Sequence, residues 1–174
     1  MASVFKIVNS ELSDLPSIVQ WFDDSIAYQE KHGYPTWKNY DQSAIVRDIE
    51  NRNYYKAINE NGTGIAFGVN YRDPILWRHM DDGLSIYLHR IVVNPAFKGQ
   101  KLFGVILDWA IDHIKQKGLK NIRMDTWSDN PGIINYYKNF GFEVIEDIVT
   151  PDTEELPVHN RKLALTLMEY RGDL

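Results

Sequence analysis

The chain has no cysteine. That one absence removes disulfide stapling, thiolate metal sites and a cysteine nucleophile from consideration. Long apolar runs are also missing: none approaches the roughly 20 residues that a membrane-spanning helix needs. Residues 1–8 lack the basic segment, apolar stretch and small-residue cleavage site of a secretory leader, so the expected location is cytoplasmic. Positive charge is scarce, with 19 Lys and Arg against 24 Asp and Glu and a formal charge of -5. Nucleic acid and anionic lipid are drawn to excess positive charge, so neither is an expected partner, and the balance leans weakly toward a cationic one. Neither Gly-x-x-x-x-Gly-Lys-Ser/Thr nor Gly-x-Gly-x-x-Gly occurs, which disfavours a nucleotide-binding domain. The histidines at 32, 79, 89, 113 and 159 show no His-x-x-x-His spacing, and no metal is expected.

What is present is an ordinary globular composition, 44% hydrophobic and 25% charged. A length of 174 residues suits one core, and no repeat or flexible linker divides it, so residues 1–174 are expected to form a single domain. Phe5 to Val8 reads as a strand. Ser13 then offers an N-cap, Pro16 fits a first helical turn, and Leu15, Ile18, Val19, Phe22 and Ile26 recur at helical spacing. Asp41 caps a second helix carrying Ile45, Val46 and Ile49. Two strands, 54–59 and 65–71, flank a glycine-containing turn, an irregular stretch covers 72–83, and 84–93 is a strong strand that Pro95 ends. Phe103, Ile106, Leu107, Ala110, Ile111 and Ile114 trace one face of a helix with Gly118 as C-cap. Strand 121–127, helix 131–139, strand 142–148 and strand 161–170 complete the order βααβββαβαββ.

The chemistry concentrates in 92–104, where a buried strand runs through Asn94-Pro95 into Lys98-Gly99-Gln100-Lys101-Leu102 and then into the strongest helix. A strand-loop-helix junction offers amide hydrogens that have no intrahelical acceptor, beside the positive end of the helix dipole, and so accommodates phosphate. Lys98 and Lys101 add cations at the same place.

The stretch from Val93 to Gly104 resembles the acetyl-coenzyme A loop of the GNAT superfamily of N-acetyltransferases, whose pattern is Arg/Gln-x-x-Gly-x-Gly/Ala. Asn130 to Phe142, with a tyrosine seven residues after the asparagine and Gly141-Phe142 opening the next strand, resembles that superfamily's second motif. The resemblance covers essentially the whole chain. It implies an α/β (α+β) fold with a mixed, mostly antiparallel twisted sheet of about seven strands flanked by about four helices. It also implies acetyl-coenzyme A as acyl donor and a primary amine of a small molecule, amino acid or peptide as acceptor. The backbone of Ile91 and Val93 would hold the pantetheine arm, and Lys98, Gly99, Gln100, Lys101, Leu102, Phe103 and Gly104 would wrap the pyrophosphate. Asn130 would contact the donor, and Tyr137 would give a proton to the departing thiolate. A phenol, with a reference pKa near 10, keeps that proton at neutral pH.

Three positions depart from the pattern: Lys98 replaces arginine or glutamine, Lys101 replaces glycine, and Phe103 replaces glycine or alanine. If Lys101 keeps a glycine-type backbone it stores strain, whereas Phe103 also belongs to the helix's apolar stripe and can point inward. These departures motivate a competing expectation, a coenzyme A-binding sensor or interaction domain that keeps the fold without turnover. For the acceptor amine, His89 is a candidate base, with Tyr87 and Asp125 as alternatives. Period two puts Tyr87, His89, Ile91 and Val93 on one strand face. Glu30, Tyr34 and Trp37, after the first helix, are expected with Tyr87 and Asp125 to line the acceptor pocket; Trp77, His79 and His159 are further candidates. The free edges of such a sheet can pair, which makes a homodimer an expectation of the fold.

Overall fold

The computed structural model describes residues 3–37 and 39–174, so Met1 and Ala2, at the head of the stretch searched for a leader, lie outside it. Seven strands form one sheet: β1 (Lys6–Asn9), β2 (Tyr54–Asn59), β3 (Gly62–Asn70), β4 (Ser85–Val93), β5 (Asn121–Trp127), β6 (Phe142–Val149) and β7 (Ala164–Tyr170), in the spatial order β1-β2-β3-β4-β5-β7-β6. Every neighbouring pair is antiparallel except β4 and β5. Five helices accompany the sheet: α1 (Leu15–Lys31), α2 (Gln42–Glu50), α3 (Pro74–Trp77), α4 (Phe103–Lys117) and α5 (Pro131–Lys138). None among the described residues is long and apolar enough to cross a membrane.

The local signals mostly act as read. Asp41 caps α2 by accepting from the Ser43 amide, and Gly118 ends α4 in the left-handed conformation at φ 68. Two differences have local causes. Ser13 falls inside a 3-10 turn, Leu12–Asp14, closed when the Glu11 amide donates to the Asp14 carboxylate at 2.8 Å, so Asp14 rather than Ser13 precedes α1. The irregular stretch 72–83 holds α3, a fifth helix that was not expected. One turn is too short to show a period, but Asp73-Pro74 is an N-cap followed by a first-turn proline, and the Asp73 carboxylate accepts from the Leu76 amide.

Side chains fill both faces of the sheet. One face packs Ile86, Leu88, Ile122 and Met124 against Phe103, Ile106, Ala110 and Ile114 of α4 and Tyr137 of α5. The other packs Tyr54, Ala66 and Val92 against Ile18 and Phe22 of α1 and Ile45 and Ile49 of α2. Phe103 is 2% exposed and meets Tyr137, Phe140 and Phe142 with centroids 4.9, 5.1 and 5.8 Å away. The aromatic residue at a small-residue position therefore fills the core and leaves the loop its shape.

The feature that positions the site is a bulge in β4. Ala66 pairs with Val92 but Gly68 pairs with His89, so β4 spends three residues where β3 spends two, and Arg90 takes φ 47. Tyr54, fully buried, donates its hydroxyl hydrogen to the Arg90 carbonyl at 2.8 Å and pins the kink. The bulge corrects the expected facing of β4. Tyr87 and His89 turn toward the α3 and α2 side, while Ile91 packs with the α4-side core and Val93 follows it by period two. On the other side of β4, the ladder to β5 stops at Leu88 opposite Met124, while β5 stays paired with β7 through Trp127. Past that point the sheet divides, β4 keeping to β3 and β5 to β7.

Candidate active site

The division of the sheet leaves backbone groups without strand partners. The Asn94 amide donates to the Gly64 carbonyl on β3 at 2.8 Å, so by alternation the amides of Val93 and Ile91 face the gap that β5 has vacated. Both residues line a cleft of about 790 Å³ that continues to the loop before α4.

In that loop the amides divide into two sets. Lys98 and Gln100 donate to Pro95 and Phe97, and Gly104 and Val105 donate back to Lys101 and Leu102. The amides of Gly99, Lys101, Leu102 and Phe103 meet no acceptor among the described residues. Three consecutive unspent donors at the start of a 15-residue helix form a cradle for an anion such as a diphosphate. Lys101 adopts φ 52, as a residue at a glycine position would, at a cost of about 1–2 kcal/mol for a side chain in that conformation. The Lys98 ammonium sits 4.2 Å from the centre of the Tyr28 ring, tying the loop to α1. Asn130 borders the same cleft, and its side-chain oxygen accepts from the Ile133 amide to cap α5.

Tyr137 lines this cleft from the last turn of α5. Burial, then the nearby Tyr136 and Asp125, raise its pKa, so the phenol is a held proton at any physiological pH.

A second cavity, of about 460 Å³, opens among α1, α2, α3 and the segment between β6 and β7. Trp37, His89, Asp125 and Trp127 border both cavities, which therefore meet where β4 and β5 part. Asp125 is the first residue of β5 beyond the last β4 pair. Burial and the Asp73 charge push its carboxyl up to about 7, against its own amide and Arg90. Asp73, also bordering the second cavity, is pushed up to about 6 by burial and the charge of Asp81.

His89 is fixed from two sides. Its Nε2 lies 3.1 Å from the Asp48 carboxylate on α2, which also accepts from Arg90 at 2.7 Å. The ring lies against Gly68, where a methyl group would come within 2.5 Å of Nε2. Nδ1 is sealed from solvent. Burial outweighs Asp48 and keeps the imidazole pKa below its usual value, hence neutral. Tyr87 donates to Asp81 at 2.7 Å and accepts from Arg123 at 3.3 Å, with its phenol pushed up to about 12 by burial and Asp81, and it forms a wall of the second cavity.

Of the expected acceptor-side residues, Trp37, Tyr87, Asp125 and His159 border that cavity. Glu30 and Tyr34 border neither and are a correction: α1 ends with both exposed, Tyr34 at 42% and stacked on His32. Trp77 is fully buried beneath the Arg123 guanidinium, and His79 is exposed. Asp73, Tyr40 and Trp127 were not anticipated. Trp127 was within reach of the pattern, two residues beyond Asp125 on the same strand face. Asp73 gave only a helix-cap signal.

Comparison with known proteins agrees with this architecture. The chain spans about two fifths of the length of one curated relative, the uncharacterized N-acetyltransferase YesJ of Bacillus subtilis, being 38% identical over 73 residues that make up 41% of this chain and 39% of that protein. It is 32% identical over 56 residues to an uncharacterized N-acetyltransferase of Methanocaldococcus jannaschii, covering 32% of this chain and 25% of that one. A GNAT-family acetyltransferase from Listeria monocytogenes superposes with a TM-score of 0.72 at 18% identity, covering 97% of both chains. The putative acetyltransferase yncA from Salmonella typhimurium, solved with acetyl-CoA, superposes with a TM-score of 0.65 at 20% identity, covering 99% of this chain and 96% of its own. The model of the Acetyltransferase (GNAT) family matches residues 15–142, and the chain belongs to that family.

Proposed function

We propose that the protein transfers an acetyl group directly from acetyl-coenzyme A to a primary amine of a small molecule or peptide. The observation that carries this reading is the meeting of two cavities at the one place where the sheet divides: a donor substrate enters along the amide-lined cleft, an acceptor from the other side, and both reach the Asp125 region. The unspent amides at 101–103 suit the donor's diphosphate, and those of Ile91 and Val93 suit its amide-bearing arm. Acetyl-CoA in the Salmonella neighbour supports this choice of donor.

In this reading the acceptor arrives as an ammonium ion and passes a proton to Asp125, directly or through one water. The neutral amine attacks the thioester carbonyl carbon, the C–S bond breaks as the departing thiolate takes the Tyr137 proton, and the phenolate so formed recovers the proton that the attacking nitrogen sheds on becoming an amide. A carboxyl near 7 is matched to proton removal at neutral pH, and a phenol held above its usual pKa keeps its proton until a thiolate develops beside it. We assign proton removal to Asp125 in place of His89, because Nε2 of His89 is engaged by Asp48 and Nδ1 is sealed from solvent. His89 then positions the bulge through Asp48 and Arg90. With Phe103 inward and the Lys101 amide still presented, nothing in the loop favours a sensor without turnover.

Thiol release from acetyl-coenzyme A in the presence of primary amines tests the proposal. Tyr137→Phe should lower kcat about 100-fold, within the usual range for a general acid, and leave the acetyl-coenzyme A KM within about twofold. Release that no amine stimulates, or turnover unchanged in Tyr137→Phe, would overturn it.

A further inference from the structure

The charges bordering the acceptor cavity are unequal in kind. Each arginine there has its own carboxylate: Arg90 donates to Asp48 at 2.7 Å, and Arg47 pairs with Asp41 at 3.4 Å. Asp73 and Asp125 have no cation within 4.0 Å among the described residues. The remaining titratable groups at the cavity, Tyr40, Tyr87, His89 and His159, offer no fixed positive partner. Tyr87 is tied to Asp81, Tyr40 donates to Asp23 at 3.0 Å, and His89 is held neutral. Two carboxylates left unmatched in a half-enclosed space are costly when ionised, and a cationic ligand removes that cost.

The walls point the same way. Phe22, Trp37, Tyr40 and Trp127 border the cavity, and aromatic faces attract ammonium groups and pack against methylene chains. Trp127, 9% exposed, lies on the wall that this cavity shares with the donor cleft.

Resting on the acetyl-transfer reading, we propose that the acceptor is a dication: an amine whose reacting nitrogen lies at Asp125 while a second cationic nitrogen, a few methylene groups away, is held by Asp73, with no carboxylate on the chain between them. A zwitterionic amino acid would bring its own carboxylate against Asp73 and be disfavoured; a simple alkylamine would leave Asp73 unmatched.

Three probes with the same number of carbons separate these cases: 1,5-diaminopentane, pentylamine and 5-aminopentanoate. Titrated at pH 8 into the protein saturated with coenzyme A, where no turnover occurs, 1,5-diaminopentane should bind about tenfold or more tighter than pentylamine, the scale of one partly buried charge contact, with 5-aminopentanoate weakest. In Asp73→Asn, which keeps an oxygen to cap α3, the ratio of 1,5-diaminopentane to pentylamine affinity should fall to about two, the statistical factor for two equivalent nitrogens. Equal affinities for the diamine and pentylamine in the parent protein, or a ratio unchanged in Asp73→Asn, would overturn the inference. The two readings fail separately: discrimination in this titration with no thiol release from acetyl-coenzyme A sinks the transferase assignment alone, and thiol release without discrimination sinks the dication alone.

Discussion

The two cavities are built by different means. The donor cleft is mainly backbone: amides at 91 and 93 released by the divided sheet, and amides at 99 and 101–103 at the head of α4. The acceptor cavity is mainly side chains, gathered from segments as far apart as Trp37, Asp73, Asp125 and His159. A backbone site tolerates sequence change because every residue but proline brings the same N–H. That is how the loop can carry Lys101 at φ 52 and an inward Phe103 and still present its amides. A side-chain site has no such tolerance, and under the proposed function its specificity rests on single carboxylates.

If that contrast holds, the largest effects should come from single side chains on the acceptor side. Asp125→Asn should lower turnover by about 10²–10⁴-fold, the range for a positioned base, while the acetyl-coenzyme A KM changes by less than about twofold. In the parent protein kcat should rise tenfold per pH unit below about 7 and level off above it, because proton removal needs the ionised carboxyl. A profile across pH 5.5–8 checks this, and an Asp125→Asn enzyme that keeps the same limb would place the base elsewhere.

Next in size is the junction between the cavities. Gly68→Ala drives a methyl into His89 and should cost about 1–3 kcal/mol as overpacking, read from the midpoint of urea unfolding. Turnover should fall with it, since the ring braces the bulge.

The same Asp125→Asn variant should be more thermostable than the parent. A carboxyl whose folded pKa lies above its unfolded value binds more protons when folded, so it costs stability as pH rises from about 4 to about 7. Melting temperatures of variant and parent should coincide near pH 4 and diverge up to pH 7, with the variant higher; a gap that narrows over that range would contradict the assigned burial of this carboxyl.

The smallest effects should come from the donor loop's side chains. Lys101→Gly should raise stability by at most about 1 kcal/mol, since relief of the left-handed backbone is partly offset by a more flexible unfolded chain. Lys98→Ala should change the acetyl-coenzyme A KM by no more than about threefold, the Lys98 ammonium being engaged with Tyr28. A tenfold loss from either would show that side chains, not amides, hold the donor.

The same contrast explains what could be read from sequence. The strand, loop and helix of 91–104 form one unbroken stretch, so their order and the helix start could be read from local pattern. The acceptor side assembles only after folding. Trp37 and Asp125 were identified, but Glu30 and Tyr34, equally close to Trp37 in sequence, ended on the outer surface because α1 runs to Lys31 before the chain turns. The bulge left no local mark: Arg90 is not a residue that favours φ 47, and Tyr54, which pins it, is 36 positions away. Strict alternation through β4 therefore put Ile91 and Val93 on the same face as Tyr87 and His89, from which the bulge turns them away.

Because Tyr54 grips the Arg90 carbonyl whether or not anything is bound, the seam between β4 and β5 stands open in advance. Under the proposed function, binding free energy is then not spent on prying strands apart, and a pantetheine arm would take the place of a missing strand beside β4. Loss of the Tyr54 hydroxyl would leave the Arg90 carbonyl without that buried donor and loosen the bulge on which the open seam depends.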